Sequence, residues 1–185
     1  VLAGLVARNG LPPLWRREPG FATLLRLILE QQVSLASADA AFRKLQSTVG
    51  RVEPTTVLAL DDDQLRGIGF SRQKAGYARG LAEGLVEGSI DLDALETAQD
   101  EPAIKRLRSI RGIGPWTASC YLLFALRRPD AWPHGDRALQ VSMFRVYGLA
   151  DVPDAETANE RARAWRPQRA SAARLLWHEY LGGRS

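Results

Sequence analysis

The sequence predicts an all-α fold. Apolar residues recur at helical spacing almost throughout, no segment sustains the alternation of a strand, and short turns separate about ten helical runs. Phe21 to Val33 (FATLLRLILEQQV) predicts a strongly apolar helix, and Leu35 to Val49 a second. Pro54, suited to a first helical position, begins a short helix through Leu60. Asp61-Asp62-Asp63 opens another through Arg66, with carboxylates at the positive end of the dipole. Ser71 is a candidate N-cap for a helix reaching Val86. Asp91 to Ala98 and Pro102 to Ile110 follow, then a helix from just after Gly114 to about Leu126. Asp136 to Tyr147, Ala155 to Ala164 and Pro167 to Leu181 complete the series, while Val1 to Arg8 is amphipathic without a signal-peptide pattern.

Composition narrows the classes. At 185 residues the chain suits one large or two small domains, and 45% hydrophobic residues exclude a disordered one. No run of about eighteen apolar residues occurs, so no transmembrane helix is expected. Cys120 is the single cysteine, which excludes an intrachain disulfide, a four-cysteine zinc site and an iron–sulfur cluster on this chain. His134 and His178 alone give little material for a metal site. A reducing cytoplasm is the expected compartment. The absence of an initiator Met leads us to expect further sequence upstream. Net charge is +4, and three of the 25 basic residues are lysines, which leaves 22 arginines. Arginine suits bidentate phosphate contacts, and a pI near 9.6 fits a nucleic-acid partner. An Arg- and Ala-rich proteome would give the same balance.

Two loops are richer than ordinary turns: Gly10 to Gly20, with three prolines and Trp15, and Arg127 to Gly135 (RRPDAWPHG). Arg-Gly-Ile-Gly occurs at Arg66 to Gly69 and at Arg111 to Gly114, and C-cap glycines account for both. The second copy sits between two helical runs and precedes Pro115. Glycines at 112 and 114 permit positive φ and clear one face of the turn of Cβ atoms. The helix that restarts at Pro115 presents unpaired N–H groups, a site for a phosphate oxygen. An αα-hairpin with ordinary capping glycines explains the same residues. Ile110 and Ile113 as anchors, with Pro115 at the first helical position, favour the phosphate reading.

Those residues carry a resemblance. The stretch LRSIRGIGPWTASCYLL resembles the helix-hairpin-helix of the DNA glycosylase superfamily, and RPDAWPHGDRALQ its Gly/Pro-rich loop and aspartate. LILEQQVSLASA, GFSRQKAGYARGLA and WRPQRASAARLLW are similar to the branch that excises alkylated bases, 3-methyladenine DNA glycosylase II. The resemblance runs from about residue 20 to the C-terminus. It implies two helical subdomains with a cleft between them. One is a barrel over 20–126 with the helix-hairpin-helix at about 102–126. The other joins 1–19 to 127–185 and carries the catalytic aspartate.

The resemblance places Asp136 at the catalytic carboxylate. Cleaving an N-glycosidic bond develops positive charge at the sugar C1′, which a nearby carboxylate stabilises. Asp136 also reads as an ordinary N-cap of the helix it precedes. Excision requires the base to leave the stack, hence flat apolar walls. The resemblance implies Trp177, Trp116 and Cys120 at that base pocket, with Trp177 as the stacking surface; each Trp also reads as core filling. Cys120 stands where a relative has an aromatic residue, which implies a roomier pocket or a buried, unreactive thiol. Trp15, Trp132 and Trp165 read as packing residues. His134 is the only other candidate acid near Asp136 in sequence. Gly112, Ile113, Gly114, Thr117, Gln31 and Gln32 are the implied DNA-binding residues, Gln32 at the gap-filling position where many relatives carry leucine; the glutamine pair also reads as an exposed helix end.

Relatives that nick the strand use a lysine just after the hairpin glycines. Trp116 occupies that position and no lysine follows Lys105, so the implied enzyme is monofunctional, with water as nucleophile. No cofactor is required. The resemblance implies one Na+ or K+ at the hairpin, held by the backbone carbonyls of Arg108, Ile110 and Ile113. The implied partner is double-stranded DNA containing damaged bases, bound by a monomer in a bacterial cytoplasm at the nucleoid, with no membrane partner. A glycosylase for deaminated or mismatched bases, and a non-catalytic helix-hairpin-helix module for damaged DNA, are the alternatives.

Overall fold

The structure, a computed structural model, describes residues 1–182, and all regular elements among them are helical. They are α1 (Leu2–Asn9), α2 (Phe21–Glu30), α3 (Leu35–Val49), α4 (Pro54–Leu58), α5 (Asp62–Ile68), α6 (Arg72–Val86), α7 (Ala94–Thr97), α8 (Asp100–Ser109), α9 (Pro115–Phe124), α10 (Arg137–Tyr147), α11 (Ala155–Ala162) and α12 (Arg169–Tyr180), with one 3-10 turn at Arg163–Trp165. Among the described residues no helix is long and apolar enough to cross a membrane.

Caps decide most boundaries. Ser34 and Ser71 accept from the N–H groups of Ser37 and Lys74, and Asp61 forms a reciprocal capping box with Gln64. Each such cap stabilises its helix by about 1 kcal/mol. The expected helix over Phe21 to Val33 ends earlier, at Glu30. Gln31 is extended and Gln32 takes a positive φ of 56°, because the chain must turn before Ser34 can cap α3. Apolar spacing alone does not register that competition. Likewise the helix expected through Ala164 tightens into the 3-10 turn after Ala162.

The chain divides into two compact units, Glu18–Tyr121 and Val1–Arg17 with Leu122 onward, so the division falls inside α9. In the first unit α2 is the central apolar element. Leu24, Leu25, Leu27 and Ile28 have no exposed surface, and each such burial contributes roughly 1.5–3 kcal/mol. α3 and α6 pack against α2, and α4 and α5 against α6. Tyr121, fully buried, accepts a hydrogen bond at its hydroxyl from the Gly20 N–H at 2.8 Å.

In the second unit α12 packs against α10 and α1. Ala170, Ala172 and Ala173 are buried on α12, and small side chains let the neighbouring helices come close. The loop from Arg127 to Gly135 is tied down along its length. Arg169 makes two 2.8 Å bonds to Asp130, through Nε and Nη2, and the Ala170 N–H donates to the Pro129 carbonyl at 2.9 Å. Trp132 is buried against Trp165, with ring centroids 5.6 Å apart.

Partial burial pushes the Asp130 carboxyl up, but the hydrogen bonds and charge of Arg169, with Arg166 beyond, outweigh it and hold the group below its ordinary value of 3.8. A carboxylate depressed in the folded state stabilises above its unfolded pKa, and that contribution is lost as pH falls through the folded pKa. Asp130→Asn is therefore expected to destabilise at neutral pH. Urea titrations of both proteins should show the gap narrowing below about pH 4.

Candidate functional site

Two constellations stand out, one in each unit. The first is the hairpin between α8 and α9. After Ser109 the chain leaves the helix at Ile110, which is extended (ψ 126°). The Ile113 N–H returns to the Ile110 carbonyl at 3.1 Å, and the Ile113 side chain is buried. Gly112 has φ 91°, and a Cβ there would lie 2.3 Å from Cγ of Tyr77. Gly114 differs: a Cβ there would meet nothing within 4 Å. Gly114 and Pro115 are exposed at the start of α9, whose first N–H groups have no acceptor within the helix. That geometry suits an anion.

Gln31 and Gln32 adjoin the hairpin in different ways. Gln31 turns inward, and its Nε2 donates at 2.9 Å to both the Gly112 carbonyl and Thr117 Oγ1. Gln32 is exposed. Thr117, one of the implied DNA-binding residues, is only 1% exposed, and its hydroxyl accepts from Gln31. Lys74 of α6 joins the same cluster. Its Nζ donates to the Leu29 carbonyl at 2.6 Å and the Gln31 carbonyl at 2.8 Å, and burial pushes its ammonium below the ordinary lysine value. Nothing in the periodicity of α6 marked Lys74 or Tyr77.

Main-chain carbonyls are hard, neutral ligands that suit a monovalent cation and not a soft transition metal. The Arg108, Ile110 and Ile113 carbonyls lie at the end of α8 and in the hairpin, where that of Ile110 accepts from the Ile113 N–H at 3.1 Å. Among the described residues no group of three or more His, Cys, Asp and Glu side chains could hold a metal ion.

The second constellation surrounds Asp136. The Asp136 N–H donates to the Pro133 carbonyl at 3.2 Å, Gly135 supplies φ 78°, and Asp136 then caps α10. Its Oδ1 accepts from the Leu139 N–H at 2.9 Å and from the Trp177 indole N–H at 3.1 Å. The indole bond joins residues 41 apart in sequence and orients the carboxylate from α12. Trp177 stacks on Phe124, with centroids 5.4 Å apart and planes 19° from parallel, and meets Trp15 edge-on at 6.3 Å. Arg17 lies over the Phe124 ring at 4.9 Å. Trp15, read as packing, is thus part of the aromatic cluster beside the carboxylate, and Phe124 was masked by the apolar run around it.

Trp116, Cys120 and His134 complete the expected residues. Trp116 is partly exposed on the first turn of α9, and Cys120 is a fully buried free thiol on the same helix. His134 Nε2 lies 3.7 Å from Glu156 Oε1.

Comparison with known proteins places this geometry. The profile described as HhH-GPD superfamily base excision DNA repair protein matches residues 25–167. The Bacillus subtilis protein YfjP is 32% identical over 162 residues, which cover 83% of this chain and 56% of that protein. DNA-3-methyladenine glycosylase 1 of Schizosaccharomyces pombe is 28% identical over 88% of this chain and 72% of its own. The chain therefore spans little more than half of the bacterial relative's length. Among solved structures, the S. pombe 3-methyladenine DNA glycosylase in complex with abasic DNA superposes with a TM-score of 0.89 at 27% identity, over 100% of this chain and 92% of that one.

The two hairpin glycines should respond differently to substitution. Gly112→Ala forces a Cβ into the root of the Tyr77 ring at a positive φ, and a loss of about 1–3 kcal/mol in denaturant unfolding is expected. Gly114→Ala should stay within about 1 kcal/mol of the parent. Equal losses at both positions would show that crowding does not distinguish them.

Proposed function

The chain belongs to the HhH-GPD superfamily of base excision DNA repair proteins, and we propose that it is a monofunctional glycosylase that removes alkylated bases from double-stranded DNA. The reading rests on Asp136, an N-cap carboxylate oriented by the Trp177 indole N–H after a Pro-His-Gly turn. An N-cap needs only the Leu139 N–H. The second donor, from another helix, fixes the carboxylate rotamer in the way a reacting group requires.

The chemistry follows from charge. As the C1′–N bond breaks, the bonding electrons leave with the base and positive charge grows at C1′. Asp136 stabilises that charge and orients the water whose oxygen forms the new bond, the water's proton passing to the carboxylate or to solvent. A base alkylated at a ring nitrogen is already cationic and leaves neutral, so it needs no acid to protonate it. The half-buried Trp177 indole, held between Phe124 and Trp15, offers such a base a cation–π attraction of about 0.5–2 kcal/mol. In this reading the exposed start of α9 at Gly114 receives a backbone phosphate, which positions the duplex without reading sequence. The carbonyls of Arg108, Ile110 and Ile113 would hold a monovalent cation there, which supplies local positive charge and takes no part in the reaction. The site of action is the nucleoid of a bacterial cytoplasm, and the working form is the monomer.

Asp136→Asn is expected to lower single-turnover release of 7-methylguanine by a factor of about 100 or more, with binding to the same duplex retained. Release at the parent rate would remove Asp136 from catalysis. No release by the parent itself would leave a damaged-DNA-binding module.

The absence of lysine after Lys105 generates a separate expectation. Borohydride should trap no covalent enzyme–DNA adduct, and an abasic strand should remain intact until treated with alkali. A trapped adduct would assign strand-cleaving activity.

A further inference from the structure

The cluster around Lys74 has no part in the reaction described above, yet it joins the two turns proposed to meet DNA. Helix α2 ends with main-chain carbonyls that lack intrahelical donors. Lys74 reaches from α6 to two of them, Leu29 at 2.6 Å and Gln31 at 2.8 Å, on either side of the bend. Gln31, so fixed, donates to the Gly112 carbonyl and to Thr117 Oγ1, both at 2.9 Å. Tyr77, one turn along α6 from Lys74, covers the other side of Gly112 and accepts at its hydroxyl from Gln73 Nε2 at 2.7 Å. The next residue after Gln31 is Gln32, exposed and held at φ 56°. A left-handed glutamine is a conformation its neighbours must impose.

We propose that Lys74 is a positioning residue that acts through Gln31 to lock the exposed Gln32 turn to the Gly112–Thr117 hairpin, so that grip on a phosphate and entry of Gln32 into the gap left by a flipped base occur as one event. This rests on the reading of the chain as a base-flipping glycosylase. A compact ammonium with three donors suits the task, since it satisfies two carbonyls from one point. Its partial burial is consistent with a fixed tether and not a mobile surface charge.

A helix cap with no functional consequence would give the same distances, so the test must separate extrusion from stability and from general affinity. The probe is a duplex with one 7-methylguanine flanked by 2-aminopurine, whose fluorescence rises when its neighbour unstacks. Lys74→Met should bind undamaged duplex within about twofold of the parent, yet lower both the fluorescence change and single-turnover release about tenfold. Gln31→Leu should reduce extrusion similarly, and the double variant should lose no more than the worse single one, because both changes cut one tether. Lys74→Gln, whose shorter amide spans one carbonyl at most, serves if the methionine variant does not fold. Unchanged extrusion in a folded Lys74 variant, additive losses in the double variant, or an equal loss of affinity for undamaged duplex would each overturn the proposal. If the parent extrudes but releases no base, the glycosylase reading fails while the tether remains testable by fluorescence.

Discussion

Every helix leaves as many as four N–H groups at its start and four carbonyls at its end without partners inside it. A chain of 185 residues with twelve α-helices among its described residues, none longer than 15 residues, is dominated by that constraint. The residues that matter here are mostly answers to it. Asp136 caps the start of α10, Lys74 closes the end of α2, and the Gly112–Gly114 turn is the shortest passage between the end of α8 and the start of α9. Each answer brings a polar group to a defined place, where it can act on something besides the backbone.

The two units solve the problem with different chemistry. In Glu18–Tyr121 the aliphatic face of α2 is sealed, so the bend that follows it is held from outside by a cation and an amide. In the other unit, aromatic rings and a bidentate Asp130–Arg169 pair surround the carboxylate loop. α12 holds that loop at two places eight residues apart, Arg169 at Asp130 and Trp177 at Asp136. At 1.5 Å rise per residue the anchors are about 12 Å apart, far enough to define the loop's direction as well as its position.

Much of this was legible in the sequence. Helical spacing gave the all-α class, and Pro54, Asp61, Ser71 and Pro115 marked starts that the structure places within a residue or two. The hairpin glycines could be picked out because they interrupt an apolar segment, whereas Asp136, an ordinary N-cap by residue type, was marked by the family resemblance. What could not be read was any partner distant in sequence. Tyr77 against Gly112, Lys74 beneath Gln31, and the Trp177 indole on Asp136 link residues from 35 to 43 positions apart, and neither spacing nor propensity encodes them. The early end of α2 belongs to the same class, since it follows from a cap beyond the helix. The inward bond from Gln31 to the Thr117 hydroxyl is another such link, between residues 86 positions apart.

Gly112 and Gly114 lie two residues apart in one turn, yet they answer to different masters. The first is held by its own fold, through the Tyr77 ring that no Cβ can share space with, while the second has open space around it. Natural variation should therefore sort the two. A lineage that gave up its ligand would keep the glycine at 112 to go on folding and let 114 drift. Both positions retained together would record continued use of the turn, written in the sequences of descendants.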